Sequence, residues 1–220
     1  MNIIIEKRNY IIFFLIIVLL LGWGRIKNNR IFLKSYNFDK KTITVAIYDR
    51  VNVKKVSDRI DKIYKKYEKI QAIDEISYDS EIIFDVNDRN IILSLATNKV
   101  INYLKSKGIT KYIINANGNI IAGKKYGENK YNISISDPNN DEILKIVSFE
   151  NKSMVTINDG MYDTLIVICD DIIKATITAQ NISNLTTEEG REYALKHGCD
   201  VFWYKNGKII MTDNFKKYII

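Results

Sequence analysis

The chain has 220 residues, 46% of them hydrophobic and 27% charged, and a formal net charge of +7. That length and apolar content favour one well-buried domain, here residues 42–220, over two small ones. The single histidine, His197, excludes a metal centre built from several histidines. The sequence contains no zinc-finger or RNA-binding signature, so nucleic acid is not an expected partner.

An uncharged and almost wholly apolar run, NYIIFFLIIVLLLGWG, follows a short N-terminal tail of residues 1–8. A helix of that length spans roughly 24 Å, a little less than a hydrocarbon core of about 30 Å. Arg8 and Arg25 can reach the headgroups from either end. We therefore predict a membrane anchor over residues 9–26. A cleaved signal peptide is the alternative, because Gly22 and Gly24 offer a cleavage site.

Residues 27–41 are expected to be a basic linker, since Asp39 is the one acidic residue between Arg25 and Lys41. Directly after an apolar run, such a stretch is typical of contact with anionic lipid headgroups. The charge count across the span favours a cytoplasmic domain, whereas a short tail before a first span favours an exported one. The resemblance described below also favours export. We thus expect a single-pass protein of the cell membrane with its domain outside the cytoplasm.

The first half of the domain alternates between strand and helix patterns. Alternating β-rich residues predict a strand over Thr42–Asp49. Apolar residues on one face predict helices over Val53–Ala72 and Asn90–Lys107, separated by a polar break at Asp74–Ser80. Gly108 is expected to end the second helix.

Strands dominate the second half. The pairs Asn117–Gly118 and Asn206–Gly207 predict tight hairpin turns. Helices are predicted over Ile172–Leu185 and Thr187–Lys196, the second beginning with an N-cap-like phrase. Strands are predicted over Tyr112–Ala116, Asn119–Ala122, Lys130–Ser136, Ile146–Phe149, Met154–Asn158, Thr164–Cys169, Val201–Tyr204 and Lys208–Thr212. The mixture of hairpins and helices predicts an α+β fold.

The two cysteines, Cys169 and Cys199, form no CxxC motif. One pair cannot define a disulfide framework. Cys169 ends an apolar strand, where a small core residue is the expected role.

Four phrases resemble the ApbE family, the FAD:protein FMN transferases. They are YLKSKGITKYIINANGNIIAG (Tyr103 to Gly123), KYNISISDP (Lys130 to Pro138), SMVTIND (Ser153 to Asp159) and the tail from Glu188 to Ile219. The resemblance implies a T-fold-related mixed sheet packed with helices. It also implies FAD and Mg²⁺ as cofactors, and transfer of FMN to a Ser or Thr of an acceptor flavoprotein. Such enzymes usually lie outside the cytoplasmic membrane, so a redox complex in the membrane is another expected partner.

The flavin-binding stretch of the family departs from its pattern in this chain. It falls on Asn90 to Asn98, where Leu93 and Ser94 replace Lys-Gly and Asn98 replaces an aspartate. A histidine-containing loop of the family, expected after Thr156, has no room before the next strand. Asn115, Asn117, Gly118 and Thr156 remain the candidates for contact with a flavin. A hairpin that merely needs Asn-Gly explains three of them equally well.

The magnesium-binding stretch departs as well. It falls on Ile173 to Thr178, where Lys174 replaces an aspartate and Thr178 keeps the threonine. A hard divalent cation needs several oxygen ligands, and an ammonium group repels it. Asp170 and Asp171 are the replacement carboxylates, so with Thr178 they are the candidate metal ligands. The alternatives make the two aspartates turn and N-cap residues, and let Lys174 either contact a pyrophosphate or lie on the surface.

A second flavin hypothesis uses the same stretch. Proteins that accept covalent FMN carry a motif like D-x-x-S/T-G-A-T, and Asp170 to Thr176 reads DDIIKAT. Thr176 would then be the acceptor, although Ile173 and Lys174 replace the Ser/Thr-Gly pair that permits close approach.

Two functions from different classes follow. The first is a divergent or catalytically impaired, membrane-anchored FAD:protein FMN transferase. The second is a non-catalytic domain that binds flavin, or only a protein partner, in a membrane redox assembly. The lost charges favour the second for chemistry, because phosphoryl transfer depends on neutralising charge at the transferred group.

Overall fold

The computed structural model describes residues 31–71, 73–78, 81–86, 88–125, 130–158 and 160–220, and of 73–78 and 81–86 only the backbone. Among these residues no helix is both long and apolar enough to cross a bilayer. The predicted tail, the anchor over residues 9–26 and the first part of the basic linker lie outside the described residues, and they stay predictions.

Eight strands form the main sheet, each antiparallel to its neighbours. In spatial order they are β1 (Phe32–Phe38), β2 (Lys41–Ile47), β5 (Tyr112–Ala116), β6 (Asn119–Ala122), β9 (Lys152–Ile157), β10 (Thr164–Cys169), β11 (Asp200–Lys205) and β12 (Lys208–Met211). Two hairpins stand apart from it, β3 (Ile73–Tyr78) with β4 (Glu81–Val86), and β7 (Tyr131–Ser136) with β8 (Ile143–Phe149). The α+β class is confirmed, but a mixed sheet is not found, since every described pairing is antiparallel.

Four α-helices accompany the strands in this part of the chain. They are α1 (Val53–Glu68), α2 (Arg89–Ser106), α3 (Ile172–Ile182) and α4 (Thr187–Lys196), and a 3₁₀ helix follows at Asp213–Tyr218. All four match the predicted helices to within a few residues, and both Asn-Gly turns are confirmed, with Asn117 and Asn206 at φ of 56° and 50°.

Two stretches differ from the prediction. The expected linker contains β1, because Phe32, Tyr36 and Phe38 lie on one face of an extended chain and are buried. Tyr36 packs on Tyr64 of α1, with ring centroids 5.9 Å apart. The expected polar break at Asp74–Ser80 contains most of β3. In both β1 and β3, isolated charged residues interrupt the apolar pattern from which a strand is predicted.

The sheet has a core on each face. Helices α1, α2, α3 and α4 cover one face, where α2 is so central that Ile92, Ala96, Val100 and Leu104 are fully buried. The β7–β8 hairpin and the 3₁₀ helix cover the other face. Strand β10 is buried at all six positions because it lies between both layers.

Cys169 and Cys199 form a disulfide. The burial of Cys169 agrees with its predicted place in the core, but the sequence did not predict the bond. It joins the last residue of β10 to the residue directly before β11, with the two Cα atoms 4.8 Å apart. The disulfide therefore joins the two ends of the segment that contains α3 and α4.

Candidate functional site

A polar cavity of about 450 Å³ lies where α2 begins, between α3, the β5–β6 turn and the end of β9. Its lining is dominated by carboxamide side chains, namely Asn90, Asn117, Asn119, Asn158, Gln180 and Asn184. Thr156, Thr176 and Ser183 add hydroxyl groups, and Asp88 adds a carboxylate. The cavity thus offers many neutral hydrogen-bond donors and acceptors and little charge.

The β5–β6 turn brings Asn117 to the cavity. Asn115 Oδ1 accepts a hydrogen bond of 2.8 Å from the Gly118 backbone N–H, which closes the turn. Gly118 has a φ of 92°, a conformation that favours glycine. Of these three predicted flavin contacts, only Asn117 lines the cavity. Asn115 and Gly118 shape the turn, as the alternative interpretation proposed.

Thr156 is the fourth predicted flavin contact, and it also lines the cavity. Its backbone N–H donates to Asn119 Oδ1 at 3.2 Å, which ties the end of β9 to the start of β6. Gly160 follows on the same wall with a φ of 119°, and a Cβ there would lie 3.2 Å from the Ser183 carbonyl oxygen. A side chain at residue 160 would therefore push against the segment after α3.

Asp88 is the only carboxylate among the described lining residues, and both of its oxygens are engaged. Oδ1 accepts from the Asn90 backbone N–H at 2.6 Å and caps α2, while Oδ2 accepts from Gln180 Nε2 at 2.5 Å. Asn90 Oδ1 in turn accepts from Lys41 Nζ at 2.6 Å. A single network therefore links α2, α3 and β2 at the mouth of the cavity.

Ser94 and Thr176 join α2 to α3 beside the cavity. The Thr176 hydroxyl donates to the Ile172 carbonyl oxygen at 2.8 Å and accepts from the Ser94 hydroxyl at 2.7 Å. Both side chains are 2% exposed. Thr176 was the candidate FMN acceptor, and in this structure its oxygen is buried within two hydrogen bonds.

The three predicted metal ligands do not meet in one place. Asp170 forms an ion pair with Lys152, and Asp171 Oδ1 caps α3 by accepting from the backbone N–H groups of Ile173 and Lys174. Both aspartates line a separate cavity of about 60 Å³. Thr178 is buried, with its Oγ1 3.6 Å from Cys199 Sγ, and lines neither cavity. Lys174 is half-buried and also lines neither.

Among the described residues, the three predicted ligands do not form a magnesium site. Such an ion prefers six oxygen ligands in an octahedral arrangement, normally with at least one carboxylate. No group of three or more His, Cys, Asp or Glu side chains that could hold a metal occurs in the part of the chain that the structure describes. The carboxylate of Asp88 already satisfies two donors. We therefore assign no step to a metal here.

Several lining residues escaped the sequence analysis. Asp88 carries a detectable signal, because an aspartate directly before an apolar helical pattern is a typical N-cap. Gln180 carries no such signal, since its hydrogen-bond partner Asp88 is 92 residues away in the sequence. Asn184 and Asn158 lie in short connections whose positions depend on the whole fold.

Comparisons with known proteins support the fold. The model of the ApbE family matches residues 90–166, which include α2, the β5–β6 turn and β9. The fold is similar to the flavin transferase ApbE from Vibrio cholerae, with a TM-score of 0.70 and 10% identity over 86% of this chain and 99% of that one.

Two further structures are similar to a comparable degree. The apo flavinyl transferase ApbE from Pseudomonas stutzeri gives a TM-score of 0.67 and 12% identity over 88% of this chain and 99% of that one. The ApbE protein from Thermotoga maritima gives a TM-score of 0.69 and 9% identity over 86% of this chain and 99% of that one. A comparison with curated proteins gave no match. At identities this low, the structural similarity establishes a shared fold and nothing more.

Proposed function

We propose, from the premise that this chain belongs to the ApbE family, that it is a flavin-binding domain impaired in FMN transfer. The observation that carries the proposal is the cavity at the start of α2, which is rich in carboxamides and poor in charge. It is built largely from the residues that the family model matches.

The lining suits the ring system of a flavin. The pyrimidine edge of that ring presents carbonyl oxygens, ring nitrogens and an N–H group. Each carboxamide can both donate and accept a hydrogen bond, so a cluster of them can match such an alternating edge. A volume of about 450 Å³ falls within the usual range of small-molecule sites.

The same lining is poorly suited to transfer. Moving a phosphoryl group requires positive charge, from a metal ion or a basic side chain, at the oxygens of that group. The described lining holds no lysine, arginine or histidine, and its single carboxylate has both oxygens engaged. Transfer of FMN from FAD would therefore lack its main source of transition-state stabilisation.

Placement outside the cytoplasm is part of the proposal. A buried disulfide between Cys169 and Cys199 supports it, because disulfides persist mainly in oxidising compartments. The apolar run at residues 9–24 would anchor the domain to membrane lipid. There the domain would serve a flavoprotein or redox complex of the membrane.

The function can be tested on the full chain in detergent. The protein is mixed with FAD, Mg²⁺ and an FMN-acceptor domain, and the acceptor is inspected for flavin fluorescence on a denaturing gel. An active ApbE enzyme serves as the positive control. We expect no fluorescent acceptor within the time in which the control is complete, and a strongly labelled acceptor would refute the proposed impairment.

Binding is measured separately by titrating the protein into riboflavin, FMN or FAD and following flavin fluorescence. Replacing the exposed lining residues Asn158 and Asn184 by alanine should weaken binding severalfold. The matched control is Asn102→Ala on the exposed surface of α2, away from the cavity. Failure of all three flavins to bind would refute the flavin-binding function.

A further inference from the structure

We infer that the cavity selects an uncharged flavin, of the riboflavin type, over the phosphorylated FMN and FAD. The inference rests on the proposed flavin-binding function and narrows the class of ligand. It follows from the charges that surround the cavity.

The lining carries a formal charge of −1. Of its 13 described residues, six have carboxamide side chains, three have hydroxyls, three have no polar side-chain group, and Asp88 alone is ionised. The residues between 72 and 159 that the structure leaves undescribed, Ala72, Asp79, Ser80, Asn87, 126–129 and Asp159, include no lysine or arginine. None of the described lining residues carries a positive charge that would compensate for a phosphate.

The phosphate of FMN brings a charge of roughly −1.5 to −2 near neutral pH. Proteins hold such a group with Arg or Lys side chains, a metal ion, or a helix N-terminus. The N-terminus of α2 does lie at the cavity, but Asp88 already places a carboxylate there and accepts from the Asn90 N–H. A second anion at that position would meet repulsion from the Asp88 carboxylate.

Lys41 is a cation in contact with the lining. Its Nζ donates to Asn90 Oδ1 at 2.6 Å, so it touches a lining residue without lining the cavity itself. The ammonium group therefore already donates one of its three N–H bonds to the Asn90 amide. Because Lys41 does not line the cavity, its charge would act on a phosphate only from outside the described lining.

The experiment compares the affinities of riboflavin and FMN, which differ only by the phosphate, for the full-length protein at low salt. We expect riboflavin to bind about tenfold more tightly, since like charges at close range in a partly buried site repel strongly. Raising the salt concentration should lower the ratio of the riboflavin affinity to the FMN affinity, because salt screens the repulsion. The affinity for FAD is measured in the same way and should be similar to that for FMN.

Two variants test the cause. Asp88→Asn removes the negative charge while keeping a good N-cap residue, and Asn184→Lys adds a cation to the rim. Each should raise the affinity for FMN relative to riboflavin severalfold. Asn102→Lys makes the same substitution on the far part of α2 and should leave the ratio unchanged.

Each outcome decides the inference. Tighter binding of riboflavin, with a ratio that both cavity variants lower, supports it. Equal binding, or tighter binding of FMN or FAD, overturns it while leaving the flavin-binding function intact. Absence of binding by all three ligands overturns the function and the inference together.

Discussion

Asp88 and Gln180 form a 2.5 Å hydrogen bond that fastens the start of α2 to α3. The two residues are 92 positions apart in the sequence. Together with the buried Ser94–Thr176 contact, this bond fixes the relative position of two helices that both line the cavity. The shape of the site therefore depends on polar contacts between α2 and α3 as well as on the apolar core.

Replacing Asp88 by alanine should destabilise the protein. The substitution removes the N-cap of α2 and the acceptor for Gln180, and loss of an N-cap alone costs about 1 kcal/mol, up to 2. Urea unfolding should show this decrease for Asp88→Ala and a much smaller one for Asp88→Asn. Equal stability of wild type and Asp88→Ala would contradict the role of Asp88 as a cap.

Ser94 and Thr176 should be energetically coupled. Thr176→Val leaves the Ser94 hydroxyl buried without its partner, which costs about 1–3 kcal/mol. Adding Ser94→Ala to that variant should cost little more, because the unsatisfied group is then gone. A double-mutant cycle measured by urea unfolding should give a coupling of at least about 0.5 kcal/mol. Strictly additive effects would show that the hydrogen bond does not form.

The disulfide should contribute substantially to stability. Its two cysteines are 30 residues apart, and closing a loop of that size stabilises a fold by about 3–4 kcal/mol in the chain-entropy model. A reductant should lower the unfolding free energy of the wild type and leave that of a Cys169→Ala, Cys199→Ala variant unchanged. Detection of two free thiols in the denatured, unreduced protein would disprove the bond.

Acid should weaken the contact between Asp137 and Tyr204. The Tyr204 hydroxyl donates to Asp137 Oδ2 at 2.6 Å, and this bond, with further donors from Asn139, holds the pKa of Asp137 below its ordinary value. A lowered folded-state pKa gives stability that is present above the unfolded pKa, near 4, and is lost as the pH falls through the lower folded value.

Unfolding measured from pH 7 down to pH 2 should therefore show a stability difference between wild type and Tyr204→Phe that shrinks below about pH 4. Tyr103→Phe is the control, because no hydrogen bond from the Tyr103 hydroxyl occurs among the described residues. Its difference from wild type should stay flat with pH. A constant difference for Tyr204→Phe would argue against ionised Asp137 as the acceptor.

Local patterns in the sequence were sufficient for most of the fold. Helical periodicity located α1 and α2, and the Asn117–Gly118 and Asn206–Gly207 pairs located two hairpins, because each signal lies within a few residues. Strand β1 was missed since charged and polar residues interrupt its three buried aromatics. The disulfide was missed because sequence alone does not show that Cys169 ends β10 and Cys199 directly precedes the adjacent strand β11.

The site was harder to predict than the fold. Thr178 was assigned to the site by its match to a family motif, yet Thr176 and Gln180 are the residues of α3 that line the cavity. Residues two positions apart on a helix point roughly 200° away from each other, so a shift of two places turns the side chain to the opposite face. The Asp88–Gln180 contact depends on long-range packing that no local pattern records.

The most direct test of a flavin site at the start of α2 is a crystal structure of the protein with saturating riboflavin. Our account predicts the flavin ring between Asn117 of the β5–β6 turn and Gln180 of α3, with its pyrimidine edge hydrogen-bonded to carboxamides. A ring bound elsewhere on the domain, or a cavity that stays free of ligand at saturation, would contradict it.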